Sequence, residues 1–162
     1  MGYGITKVQL TPDGVRGLLV RARRDNGNAH GFDVLSIYAL AHSSEVRDAE
    51  FLVLPVWEVG KEGKEKERLE LTVSGGADCK LQDFRFLVGP GSDLQLVTAQ
   101  REFGTSYADA AQVTFTYFSL KHNSAAEIGR PLYYFESTTS SRAKKRYCDV
   151  NDAFKQELGF GA

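Results

Sequence analysis

Hydrophobic and polar positions alternate along this chain in short stretches, and glycine, proline, asparagine or aspartate residues separate the stretches. A period of two predicts β-strands with one buried face. Pro55 lies within one stretch and predicts an edge or a bulge there. The predicted strands are residues 15–23, 32–40, 50–59, 69–73, 79–88, 94–101, 113–120 and 132–137.

Turn residues connect these strands. Residues 11–14 read Thr-Pro-Asp-Gly and predict a turn, because proline fixes φ and glycine permits positive φ. Residues 25–28 contain Asn26-Gly27 and predict a hairpin between the first two strands. Residues 113–120 are apolar or threonine on both faces and predict a central, buried strand. The charged run at 61–68 predicts a solvated hairpin tip.

A helix is predicted at the C-terminal end of the chain. Val150, Phe154 and Leu158 share one helical stripe, Asp149 or Asn151 can cap its start, and Gly159 ends it. The predicted fold is therefore mainly β, an antiparallel β-sandwich of about eight strands with a C-terminal α-helix. The length of 162 residues predicts one domain, residues 1–162.

Composition supports this fold class and argues against several kinds of partner. Ten Phe, seven Tyr and one Trp favour strands. The net charge of −1 argues against nucleic-acid binding, which favours a basic excess. No apolar run is long enough for a bilayer-spanning helix. Residues 1–7 show no signal peptide, so we expect either a cytoplasmic protein or one whose leader has been removed.

Motifs for metal binding and catalysis are not visible. His30, His42 and His122 are far apart and form no HxH or HxxxH pair, and the two cysteines have no CxxC spacing. There is no GxSxG or SxxK motif for a nucleophile, and no GxGxxG or GxxxxGK[ST] loop for phosphate. We therefore expect no enzyme activity, no metal and no cofactor, although residues distant in sequence can still assemble a site.

Two basic clusters are candidate binding surfaces. Arg23 and Arg24 lie near Asn28 and His30, and arginine can bind a small carboxylate through two donors. Residues 142–146, followed by Tyr147, could contact nucleic acid. For both clusters, a solvated strand or hairpin is the favoured interpretation.

Charged residues inside apolar strands form a second candidate group. Asp78, Asp83 and Arg85 flank apolar positions, and Arg101 ends the strand at 94–101. Charges beside a buried strand are costly unless they are paired. A structural ion pair is favoured over a ligand site.

Cys79 and Cys148 are either two free thiols or one disulfide. Free buried thiols are common in cytoplasmic proteins. A bond between residues 69 positions apart (148 − 79) would stabilise the fold by about 4 kcal/mol in the chain-entropy model.

Several stretches of the C-terminal half resemble carbapenem self-resistance proteins of the CarG type. They are GADC at 76–79, LxDxR at 81–85, RxFGxSxAD at 101–109, FxYFxL at 115–120, GRPxYYF at 129–135, YCDVNxAF at 147–154 and ELG at 157–159. The resemblance implies a periplasmic protein that protects a producing cell from its own β-lactam without hydrolysing it, together with a second small periplasmic protein. It also favours a Cys79–Cys148 disulfide in that oxidising compartment.

The function expected from the sequence is therefore non-enzymatic, periplasmic protection, with a β-lactam or a second small protein as partner. Two alternatives stay open. One is an immunity or protein-interaction module that uses an exposed aromatic patch or sheet edge. The other is a small ligand- or carbohydrate-binding β-sandwich.

Overall fold

Eleven strands and one helix make up the described part of the chain. The structure is a computed structural model, and it describes residues 2–28, 30–40, 51–60, 63–75, 79–88 and 92–160. In chain order the elements are β1 (Gly4–Gln9), β2 (Arg16–Arg24), β3 (Phe32–Leu40), β4 (Phe51–Val53), β5 (Val56–Val59), β6 (Glu65–Arg68), β7 (Glu70–Gly75), β8 (Lys80–Val88), β9 (Leu94–Arg101), β10 (Ala111–His122), β11 (Tyr133–Tyr147) and α1 (Val150–Leu158).

The strands form one path of hydrogen-bonded neighbours, in the order β1-β2-β3-β7-β8-β9-β10-β11-β5-β6, with β4 paired to β3. The predicted mainly β class with a C-terminal helix is confirmed. The described strands number eleven rather than about eight. The sheet is also mixed rather than antiparallel throughout, because β5 runs parallel to β11.

Three stretches of the sheet differ from the sequence-based prediction. Residues 50–59 were predicted as one strand, but Leu54 and Pro55 separate β4 from β5 within the described part, 51–59. Residues 61–68 include a strand, β6, which pairs with β5 despite its charge. The last strand extends from the predicted 132–137 to Tyr147, because its polar half pairs with β10 over residues 139–147.

The hairpin of β2 and β3 is confirmed, with Arg24 paired to Phe32 at its end. The connection therefore runs over residues 25–31 and is longer than a two-residue turn. Gly27 lies in the left-handed region, at φ 67°, as the predicted turn requires.

Two apolar clusters lie on opposite faces of β9 and β10, which occupy the middle of the path. On the inner face, Leu96 and Phe118 pack with Leu35 and Ile37 of β3. Because β3 is distant from β10 along the path, the sheet folds back over itself and encloses this cluster. On the outer face, a second cluster contains Val97 and Phe115. The predicted central position of 113–120 is thus correct.

The helix α1 covers the second cluster. Val150, Ala153 and Phe154 are fully buried against the outer face. The side chain of Asp149 caps the helix by accepting from the backbone N–H of Asn151 at 2.8 Å. Gly159 ends the helix in the left-handed region at φ 72°. The helix is not long or apolar enough to cross a membrane, and the described residues contain no other candidate span.

Covalent and polar contacts fix both ends of α1 to the sheet. At its start, Cys148 forms a disulfide with Cys79, with the two Cα atoms 5.6 Å apart. At its end, Glu157 accepts from the Tyr147 hydroxyl at 2.8 Å and from the backbone N–H of Lys144 at 3.1 Å. The hydrogen bond from Tyr147 holds the pKa of Glu157 below its usual range.

We predict that the double substitution Cys79→Ser/Cys148→Ser lowers the free energy of unfolding by about 4 kcal/mol, because the cross-link restricts a long loop of the unfolded chain. Urea unfolding of the oxidised wild type and the variant measures the difference. A reducing agent should move the wild-type midpoint to that of the variant and leave the variant unchanged. Equal midpoints for the oxidised wild type and the variant would contradict the prediction.

Candidate functional site

The inner face of the sheet changes from apolar to polar along β9 and β10. After Leu96, the residues of β9 on the same face are Thr98 and Gln100. In β10 the corresponding positions are Thr116, opposite Thr98, and Thr114, opposite Gln100. Directly opposed side chains on one face lie about 5 Å apart. These residues therefore form a continuous polar floor beside the apolar cluster.

A groove of about 230 Å³ lies over this floor. Its other wall is supplied by β5 and β6, where Glu58 and Arg68 lie on the same face as the buried Val56. The volume is somewhat below the range of about 300–1,000 Å³ that is typical of drug-sized ligands. The residues that line the groove are Glu58, Arg68, Gln82, Thr98, Gln100, Arg101, Glu102, Thr114 and Thr116.

Most polar side chains of the groove floor have no hydrogen-bond partner. Within the part of the chain that the structure describes, this holds for Gln82, Thr98, Gln100 and Thr114. Thr116 is different, because its hydroxyl accepts from Ser140 at 3.2 Å. Glutamine amides and threonine hydroxyls can each donate and accept. The floor thus presents a row of free donors and acceptors to the groove.

One ion pair stands in the wall of the groove. Arg68 donates through Nη2 to Glu58 at 2.5 Å, and both side chains are partly exposed. The Nε atom of Arg68 is buried and has no partner. A buried donor without a partner is uncommon in native structures and is costly, by about 1–3 kcal/mol.

The predicted binding residues of the β2–β3 hairpin do not meet in a pocket. Arg23 pairs with Asp33 at 3.4 Å, and Arg24 lies over the ring of Phe32, 5.2 Å from its centroid. The Asn28 side chain accepts from the backbone N–H of His30. These contacts favour the solvated hairpin over a carboxylate site at Arg23, Arg24, Asn28 and His30.

Asp33 anchors this hairpin. Its side chain is 10% exposed and accepts from Arg21 at 2.6 Å and from the Tyr3 hydroxyl at 2.9 Å. Burial by itself would raise the pKa of the Asp33 carboxyl, but the hydrogen bonds from Arg21 and Tyr3 outweigh it and hold the pKa below its usual value. The basic patch that the sequence suggested as a site is thus organised around a structural carboxylate.

Asp83 and Arg85 form the expected ion pair, with 3.0 Å between Oδ2 and Nη1. Arg85 also donates to the side chain of Asn151 and lies over the ring of Phe154, 4.8 Å from its centroid. These contacts hold α1 against the sheet and favour a structural role. Asp78, the third residue of this candidate group, lies outside the described residues.

Arg101 is 4% exposed and holds the loop that follows β9. Its guanidinium donates to the backbone carbonyls of Asp109, Ser106 and Phe103. The loop carries Phe103 and Tyr107 on its surface in an edge-to-face pair with ring centroids 4.8 Å apart. Both rings are about half exposed, although such residues are usually buried. Arg101 therefore fixes an exposed aromatic pair beside the groove.

Sequence reasoning missed the groove. A signal was present, because Thr and Gln replace apolar residues at alternate positions of two predicted strands, at 98 and 100 and at 114 and 116. These residues form a site only when the two strands pair in the observed register. The pairing and its register could not be predicted from the single sequence. Among the described residues, no three His, Cys, Asp or Glu side chains are gathered as metal ligands.

Comparisons with known proteins agree with this architecture. The family model for the carbapenem resistance protein CarG-like family matches residues 1–156. A crystal structure of CarG matches with a TM-score of 0.75 and 21% identity, over 96% of this chain and 92% of that chain. No curated protein matches the sequence.

We predict that Asp33→Asn lowers the free energy of unfolding by about 2 kcal/mol at pH 7, because the charged hydrogen bonds of a nearly buried carboxylate are lost. A carboxyl with a lowered pKa stabilises the fold above its unfolded pKa, near 4, and loses this effect as pH falls through the folded value. The difference from the wild type should therefore shrink below about pH 4. Urea unfolding at several pH values, with Asp93→Asn as exposed control, measures it. A variant as stable as the wild type at pH 7 would refute this.

Proposed function

The chain belongs to the CarG-like family of carbapenem resistance proteins, and we propose that it protects a cell by binding a carbapenem intact in the groove of the inner sheet face. The observation that carries the proposal is the floor of unpaired amides and hydroxyls beside a charged pair. Binding sites typically combine a concave surface with a few polar groups that fix orientation.

The groove favours binding over hydrolysis. Opening of a lactam by a side chain needs a nucleophile with a base within hydrogen-bond reach. The hydroxyl groups that line the groove belong to threonines. The hydroxyl of Thr116 accepts a hydrogen bond from Ser140, which is not a base that could activate it. Glu58, a candidate base, is paired to Arg68. The proposed function therefore has no catalytic residue.

The periplasm is the proposed compartment. The disulfide between Cys79 and Cys148 supports it, because such bonds persist in oxidising compartments and are rare in the cytosol. A periplasmic location also places the protein where a β-lactam meets its targets. A second small protein as partner is compatible with the same proposal.

A protein-interaction role is the second candidate, and one observation favours it. Phe103 and Tyr107 are held in an exposed pair by the buried Arg101. Aromatic side chains presented on a fixed loop are common anchors at protein interfaces. In this candidate the chain would protect by contacting a protein, and the groove would not be needed.

We predict that expression with an export leader lets a carbapenem-sensitive bacterium grow at antibiotic concentrations that stop the same strain carrying the leaderless protein. The antibiotic recovered from the culture should be intact, because the groove binds without opening the lactam. Growth curves and chromatography of the medium measure both outcomes. Consumption of the antibiotic would instead reveal an enzyme, and absence of protection with the leader would contradict the proposed function.

A second prediction separates the two candidates. We expect Phe103→Ala/Tyr107→Ala to keep protection, because the two rings contact solvent and each other rather than the groove. Ile128→Ala, at a fully exposed apolar position, is the matched control. Loss of protection in the aromatic variant alone, with antibiotic binding unchanged, would favour the protein-interaction role.

A further inference from the structure

Arg68 binds its partner with only part of its donor edge. The Nε–H and Nη2–H groups of a guanidinium point to the same side and together match the two oxygens of a carboxylate. In Arg68, Glu58 takes Nη2 while Nε is buried and unpaired. The pair is thus monodentate at an edge that is built for bidentate binding.

Among the described residues, Arg85 has a fuller set of partners, whereas Nη1 of Arg130 and Nε of Arg101 are also buried without a partner. Arg85 binds Asp83, the backbone carbonyl of Phe84 and Asn151. Arg130 pairs with Glu65 and lies 4.0 Å from the centroid of the Trp57 ring, which covers one face of its guanidinium. Arg68 differs from Arg130 because it lines the groove, and from Arg101 because it is paired there to a carboxylate, Glu58, that a ligand can replace.

The floor opposite Arg68 suits neutral oxygen atoms. Gln82 and Gln100 are cross-strand neighbours, and Gln100 is opposite Thr114 in the next strand. Their side chains, like that of Thr98, have no partner in the described part of the chain. Amide N–H and hydroxyl groups there can donate to ring or amide carbonyls of a small molecule.

We propose that the groove recognises a small monocarboxylate with neighbouring carbonyl oxygens, and that Arg68 exchanges Glu58 for the ligand carboxylate. This inference rests on the proposed function and names its ligand chemistry, because the carboxylate and lactam carbonyl of a carbapenem match it. The ligand takes both Nε and Nη2 of Arg68, and its carbonyl oxygens accept from the glutamines and threonines of the floor. Glu58 then turns to solvent, from which its side chain is already 38% exposed.

If Arg68 exchanges Glu58 for the ligand carboxylate, substitutions of the two residues should have different effects on binding, which would not be expected if the ion pair were purely structural. Arg68→Gln should weaken binding by about 10- to 100-fold, because charged hydrogen bonds to the ligand are lost. Glu58→Gln should tighten binding, by up to about fivefold, because the competing carboxylate is removed. Both variants break the same ion pair, yet they should move the affinity in opposite directions.

Titrations followed by NMR of the isotope-labelled full chain test the proposal. The probes are imipenem, N-acetylproline as a ring carboxylate with an amide carbonyl, its methyl ester without the charge, and N-acetylglucosamine as a neutral sugar. We expect the two carboxylates to shift the side-chain amide signals of Gln82 and Gln100 and the ester and the sugar to bind at least about tenfold more weakly. Arg24→Gln is the control, since it removes one exposed arginine outside the groove.

Several results would overturn the proposal. They are no binding of either carboxylate by the folded wild type, equal affinity for acid and ester, tighter binding of the sugar, or a loss of affinity in both Arg68→Gln and Glu58→Gln. The growth assay separates this failure from failure of the proposed function. If the exported wild type protects but neither carboxylate shifts the signals of the groove glutamines, the assigned groove chemistry is wrong and another site protects. If the wild type binds imipenem in the groove but gives no protection, the groove chemistry stands and the protective role fails.

Discussion

The need to cover both faces of β9 and β10 determines the rest of this structure. Val97 and Phe115 point to one side of these strands, whereas Leu96 and Phe118 point to the other, and all four are buried. Burial of such a side chain contributes about 1.5–3 kcal/mol, so neither face can stay in water without loss of stability. The helix α1 covers the outer face, and the β2–β3–β7 part of the sheet folds over the inner one. The disulfide between Cys148 and Cys79 tightens the outer layer by joining the segment before the helix to the residue that precedes β8.

The groove follows from where this inner cover ends. Beyond Leu96 the inner face carries Thr98 and Gln100, and β10 continues with Thr116 and Thr114. An apolar cover over these side chains would leave hydroxyls and amides buried without partners, at a cost of about 1–3 kcal/mol each. The folded-over sheet therefore gains by stopping at the apolar rows, and the polar rows stay open to water or to a ligand. The same alternation of residues that builds the core thus also sets the position of the groove.

The sequence was informative where one element carries its own signal. The residues of β10, the β2–β3 hairpin and the caps of α1, Asp149 and Gly159, could all be predicted from local pattern. The edge strands β1 and β6 were missed because an edge is exposed and needs no apolar alternation. The groove was missed for another reason, since Gln82, Gln100 and Thr114 become neighbours only through the pairing of three strands. Candidates chosen for their charge, such as Asp83 and Arg85, proved to have partners within the fold.

That last outcome helps to separate structural charges from functional ones in this chain. Asp33 and Asp83 are nearly buried, and each carboxylate is paired with an arginine. These carboxylates therefore stabilise the fold and are not available to a ligand. Removing one partner of such a pair would leave an uncompensated charge, which is strongly destabilising. Arg68 and Glu58 are partly exposed, so separating them costs less than separating a buried pair, and water can solvate the released carboxylate. A pair with a low cost of separation and a spare buried donor is the kind that a ligand can open. The Arg130–Glu65 pair shares both features, so the position of Arg68 and Glu58 in the wall of the groove is what makes theirs the candidate.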